Sequence, residues 1–140
     1  MNIAPYVLAV AHDNRNMLRI HRRQLRESTD PFHLPEARFM ELFRFNKESA
    51  LALLAEISPF MKDGVRNTFI PKNIRMAAVL HYYATGSFYR DVGQDFVCAM
   101  SKTMICRSIH ELTYIIQDKL MPKYIKFPIT QAEQAIVKQR

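Results

Sequence analysis

Apolar residues recur along this chain at intervals of three and four, the spacing that turns one face of a helix into a core. The longest stripe, Ile105, Ile109, Leu112, Ile116 and Leu120, predicts a helix that Ser101 caps and that stops before Pro122. Phe88, Val92 and Phe96 predict a shorter helix over 88–97, capped by Ser87. Ile74, Ala77, Ala78 and His81, with Val79, Leu80 and Tyr83 beside them, predict a third, begun by Pro71 and ended by Gly86. Leu51, Leu54, Ala55 and Ile57 predict another behind the cap Asn46, and Pro35 opens a short one over 36–44. Pro31 to Pro35 reads as an extended linker, because each proline pushes the preceding residue out of the helical region. Thr130-Gln131-Ala132-Glu133 is a capping box that starts a last helix.

These elements predict an all-α fold: a compact bundle of about five helices containing a helix-turn-helix-like unit. The chain has only three glycines, fewer than the turns of a sheet-rich fold of this length need. It divides into a basic leader arm over 1–30, a helical domain over 31–128, and the start of a helix over 129–140. In the leader, Val7, Leu8, Met17, Leu18 and Leu25 give a ragged apolar face and predict a helix from about Tyr6 to Arg26. Arg15, Arg19, Arg22, Arg23 and Arg26 crowd into the same stretch. Such a segment is either a solvated, partly ordered arm or a phosphate-contacting or nuclear-import segment.

The net charge of +7 speaks to partners rather than to fold. It makes nucleic acid the first partner to consider and an anionic membrane the second. Residues 31–61 carry three basic and four acidic side chains, whereas 62–126 carry ten basic and five acidic, so the domain's excess lies in its second half. No apolar run approaches the roughly 20 residues of a spanning helix, and the apolar start has no basic residue ahead of it as a signal peptide would. Two cysteines, Cys98 and Cys106, make no disulfide framework. The expectation is a soluble intracellular protein.

The predicted helix 71–85, the short helix 88–97 and the helix from 101, with tight turns between them, have the layout of a helix-turn-helix. The duplex major groove is about 12 Å wide and admits one helix, which must bury one face and free the other. At about 100° per residue, Ile105, Ile109, Leu112 and Ile116 cluster on one side of the last long helix, and Thr103, Arg107, His110 and Tyr114 cluster opposite. That outer face offers a hydroxyl, a guanidinium, an imidazole and a phenol without a carboxylate, while Glu111 and Asp118 fall toward the flanks. Ser101, Lys102, Thr103, Arg107, His110 and Tyr114 are therefore the candidate DNA-binding residues, with Lys102 at the amide-rich helix start and Arg107 suited to a phosphate or a guanine.

Other chemistry fits less well. Asp91 and Asp95 share a helix face and read as a metal pair or, more commonly, as hydrated surface. Cys98, Cys106 and His110 lack a fourth ligand at zinc spacing. His81 reads as a hydrogen-bonded core histidine, the methionines as core filler, and no cysteine-and-base pair or glycine-rich phosphate loop stands out.

Several stretches taken together resemble the N-terminal region of PIF/Harbinger-type transposases and of the Harbinger transposase-derived nucleases of animals. They are Phe43-Arg44-Phe45-Asn46-Lys47-Glu48, Ile70-Pro71, Leu80-His81-Tyr82-Tyr83-Ala84-Thr85-Gly86-Ser87-Phe88, Met100-Ser101-Lys102-Thr103-Met104-Ile105-Cys106-Arg107 and Tyr124-Ile125-Lys126-Phe127-Pro128. Arg26 and Asp30-Pro31-Phe32-His33-Leu34-Pro35 fit insect versions. The resemblance covers residues from about 30 to about 130. It implies a helix-turn-helix-like region ahead of a metal-dependent nuclease core, nuclear location with the cytoplasm as the alternative, and a separate Myb-like partner. It also implies that Ser101, Lys102, Thr103 and Arg107 start the reading helix. Where relatives have Gly-Ile/Val-Ser, this chain has Ala99-Met100-Ser101. The carboxylates of the core are expected beyond residue 140, so the expectation for these residues is a non-enzymatic DNA-binding module with no cofactor. The alternative is a helical protein-interaction module that docks a Myb-like partner or the nuclease core, using aromatic residues such as Phe39, Phe43, Tyr82, Tyr83, Phe88 and Tyr89.

Overall fold

The computed structural model of the protein describes residues 4–28, 30–66, 69–86 and 98–138. Helix α1 spans Ala4–Ser28, α2 Glu36–Phe43, α3 Lys47–Ile57, α4 Lys72–Thr85, α5 Lys102–Ile115, α6 Met121–Tyr124 and α7 Gln131–Lys138. No strand occurs among the described residues, and the fold is all-α. The predicted helix 88–97, with Phe88, Val92, Phe96, Asp91 and Asp95, lies outside the described residues. None of the described helices is long and apolar enough to cross a membrane.

Helix α4 is the centre. It packs against α2, α3 and α5, and every residue from 74 to 80 is buried, Arg75 included. A helix buried on all sides needs apolar residues all round, which is why its sequence shows a broad apolar run rather than one stripe. Around it gather Phe39 and Phe43 of α2, Ala50 and Ile57 of α3, and Ile105, Ile109, Leu112 and Ile115 of α5. Phe32, Phe39, Phe43 and His81 form a ladder of rings with centroids 5.3, 4.6 and 6.1 Å apart, tying the segment before α2 to α4. His81 Nδ1 donates to the Leu42 carbonyl at 3.1 Å; the side chain is half-buried, at the edge of the core rather than inside it.

The caps sit where short-range chemistry puts them. Asn46 Oδ1 accepts from Ser49 N at 2.7 Å, Gly86 closes α4 with φ +61°, and Thr130 and Glu133 exchange the two bonds of a capping box before α7.

Four local expectations need correction. Pro31–His33 is a 3-10 turn rather than extended chain, because Asp30 accepts from Phe32 N and starts it as a cap. Pro71 caps α4 with extended backbone rather than standing at its first helical position. In α3 the buried residues are Ala50 and Ile57, while Leu51 and Ala55 are exposed, because the helix leans on α2 and α4 through a neighbouring face. The last long helix does not stop at Pro122. It widens into a π turn over Ile116–Leu120 and continues as α6 to Tyr124. Proline lacks an N–H and its ring crowds the carbonyl four residues back; a π turn just ahead of it opens the room for that ring. The buried face of the preceding α-helix also takes in Ser108 and Ile115, which flank Leu112, and Ile116 and Leu120 of the π turn are half-buried.

Candidate nucleic-acid interface

The turn into α5 is Cys98-Ala99-Met100, all three buried. Ala99 has φ +42°, in the left-handed region that glycine adopts at little cost and a Cβ residue resists. Its carbonyl accepts a hydrogen bond from Arg26 Nη1 of α1 at 2.7 Å. Ser101, with extended backbone, then caps α5 by accepting from Met104 N at 3.4 Å.

From this start α5 buries Ile105, Ser108, Ile109, Leu112 and Ile115. Lys102, Thr103, Arg107, His110 and Tyr114 are exposed, Tyr114 at 68% of its full accessibility, and Ser101 is half-buried. Thr103, Arg107, His110 and Tyr114 thus share one exposed side of α5, while Lys102 stands in its first turn and Ser101 at its cap, away from that side. Arg107, His110 and Tyr114 also border an open groove whose other wall includes Phe60, Lys62 and Phe69.

The carboxylates at the flanks of this face are already engaged. Glu111 Oε2 receives Arg75 Nη1 at 2.5 Å and Glu111 Oε1 receives Lys62 N at 2.7 Å. Arg75 Nη2 donates in turn to the Lys62 carbonyl at 2.7 Å, so one arginine and one glutamate close a ring around the backbone of residue 62. The guanidinium lies over the Phe69 ring, 4.7 Å from its centroid, and Gly64 meets the same ring so closely that a Cβ there would stand 1.8 Å from it. Arg75 is 2% exposed, and its Nε is a buried donor with no hydrogen-bond partner. This clamp joins α4, α5 and the chain between α3 and α4. Sequence periodicity does not reveal it; its one signal is an arginine standing inside an apolar helix. Asp118 pairs with Lys119 at 2.8 Å. Arg107 is the cation on that side, and Lys102 stands exposed in the first turn.

Beyond the π turn, Lys123 Nζ and Tyr124 OH reach Glu56 of α3 at 2.5 and 2.9 Å. Those two bonds hold the Glu56 carboxyl below the usual carboxylate range and raise Lys123.

No three His, Cys, Asp or Glu side chains converge among the described residues. Cys98 is buried and Cys106 half-buried, neither in a disulfide, and His110 stands at the surface. Of the aromatic residues considered for a partner surface, Phe39 and Phe43 are core, Tyr82 is half-buried and Tyr83 is exposed; Phe88 and Tyr89 lie outside the described residues. Compared with family models, with curated proteins and with solved structures, the chain finds no match.

Proposed function

We propose that this chain is a non-catalytic DNA-binding region of the kind that stands ahead of the nuclease core in Harbinger-type transposases, with α5 as its reading helix. One observation carries the proposal. Thr103, Arg107, His110 and Tyr114 lie exposed on α5 opposite a buried isoleucine-leucine seam, and the adjoining Glu111 is neutralised by Arg75. A helix of this kind presents cationic and hydrogen-bonding groups to a groove without repelling phosphate. Lys102 contacts the phosphate backbone, and Arg107 a phosphate or the O6/N7 edge of a guanine. Nuclear location and a divalent metal in a downstream core belong to the same reading, which rests on the motif resemblance.

The test is a salt titration of duplex binding. Lys102→Ala is expected to lower the slope of log K against log salt by about one unit. Arg107→Ala is expected to cost roughly 1–3 kcal/mol and, where the arginine reads a guanine, to relax specificity at that position. Equal binding by wild type and Lys102→Ala/Arg107→Ala across the titration would reject the assignment.

A second reading is a helical protein-interaction module that docks a Myb-like partner or the nuclease core. It is favoured by the exposed apolar series Ile125, Phe127, Ile129, Ile136 and Val137, which nothing among the described residues covers.

A further inference from the structure

Helix α1 holds a second cationic surface that the reading of α5 does not use. Arg15, Arg19, Arg22 and Arg26 follow one another at spacings of four, three and four. At about 100° and 1.5 Å per residue they occupy roughly 60° of arc over about 16 Å of helix. This side of α1 borders an open groove whose walls include Arg19, Arg22 and Arg23 on one side and Ile70, Ser101 and Met104 on the other. Ser101 is the cap of α5, so the stripe runs directly into the candidate reading face.

The four arginines are not equivalent. Arg26 is turned inward to the Ala99 carbonyl, a contact that spans 73 residues of sequence and ties α1 to the turn before α5. Arg15 Nε returns to the Ala11 carbonyl, and Arg23, beside the stripe, pairs with Glu27 at 2.7 Å. Arg19 and Arg22 have no ion-pair partner among the described residues. Burial, and after it the charge of Arg22, pulls the Arg26 pKa down, a like-charge repulsion that a polyanion lying in the groove would relieve.

We propose that this stripe is a second duplex contact: Arg19 and Arg22 grip the phosphate backbone flanking the groove that α5 enters, and Arg26 sets the angle between the two helices. The inference rests on the DNA-binding reading and names the part of the duplex that α1 takes. A duplex carries a phosphate charge per about 1.7 Å of axis, so a stripe of this length meets several phosphates. An anionic membrane fits less well. The exposed apolar residues Leu8, Val10, Met17, Leu18 and Ile20 spread over roughly 240° of the helix and form no single lipid-facing stripe.

The experiment uses the full chain, a labelled random-sequence duplex of about 20 base pairs, long enough to offer both surfaces phosphate, and vesicles containing phosphatidylserine. Arg19→Ala/Arg22→Ala is expected to lower the salt slope by about two units, Arg19→Lys/Arg22→Lys to keep it. Arg26→Ala, which removes one charge, is expected to lower the slope by as much as the double variant, because the arm is no longer held beside α5. A wild-type slope retained by Arg19→Ala/Arg22→Ala overturns the inference and leaves the reading of α5 standing. Loss of vesicle binding with duplex binding intact in that variant assigns the stripe to membrane instead. A wild-type chain that does not bind the duplex overturns both.

Discussion

Arg75 and Glu111 show how much of this molecule rests on two side chains. Arg75 is buried with one donor unanswered, so its charge is tolerable only beside the Glu111 carboxylate. Glu111→Ala would strand that charge and is expected to cost about 3–5 kcal/mol in a urea unfolding titration, whereas Arg75→Met/Glu111→Leu is expected to recover most of the loss. A double variant no more stable than the single would show that the pair is not what makes Glu111 necessary. Ala99 makes the opposite case. Its left-handed φ is strained with a methyl group and free with none, so Ala99→Gly is expected to raise stability by up to about 1 kcal/mol in thermal unfolding. A fall in stability would place the φ elsewhere. The clamp was not legible, because 36 residues separate its partners and no local preference pairs them.

At the scale of elements, legibility followed the range of the interaction. Asn46, Gly86, Ser101 and Thr130 mark helix ends in the sequence because a cap acts over three or four residues. The inner and outer faces of α5 were likewise readable from its apolar spacing. The π turn over Ile116–Leu120 was not, because a strict helical period carries no sign of where the helix widens. Its consequence is the contact of Lys123 and Tyr124 with Glu56, which latches α6 to α3. Glu56 is held below its ordinary pKa, so the latch contributes above that ordinary value and is lost as pH falls through the lowered one. Lys123 is raised, so its share is complete below its ordinary value and lost as pH rises through the raised one. Between those limits, amide exchange at Met121, Lys123 and Tyr124 is expected to be slow relative to Glu56→Gln, and the difference should vanish in acid. Protection in acid equal to that at neutral pH would remove Glu56 from the latch.

On the scale of the whole molecule, α4 fixes the bundle, the clamp sets α5 against it, and Arg26 sets α1 against the start of α5. The result places the arginines of α1 beside the start of α5, an arrangement that composition shows only as a net charge of +7. That α1 lies beside Ser101 was not legible, since its contact with the turn before α5, Arg26 to the Ala99 carbonyl, spans 73 residues of sequence. The central claim is that the outward face of α5 meets duplex DNA. At 16.4 kDa the chain is within reach of backbone and side-chain NMR, and a titration with duplex DNA tests that claim most directly. If the outward face of α5 meets the duplex, salt-sensitive shifts concentrate at Lys102, Thr103, Arg107, His110 and Tyr114, with Arg19 and Arg22 alongside. Shifts confined to residues 124–137, or none on α5 at low salt, would contradict it.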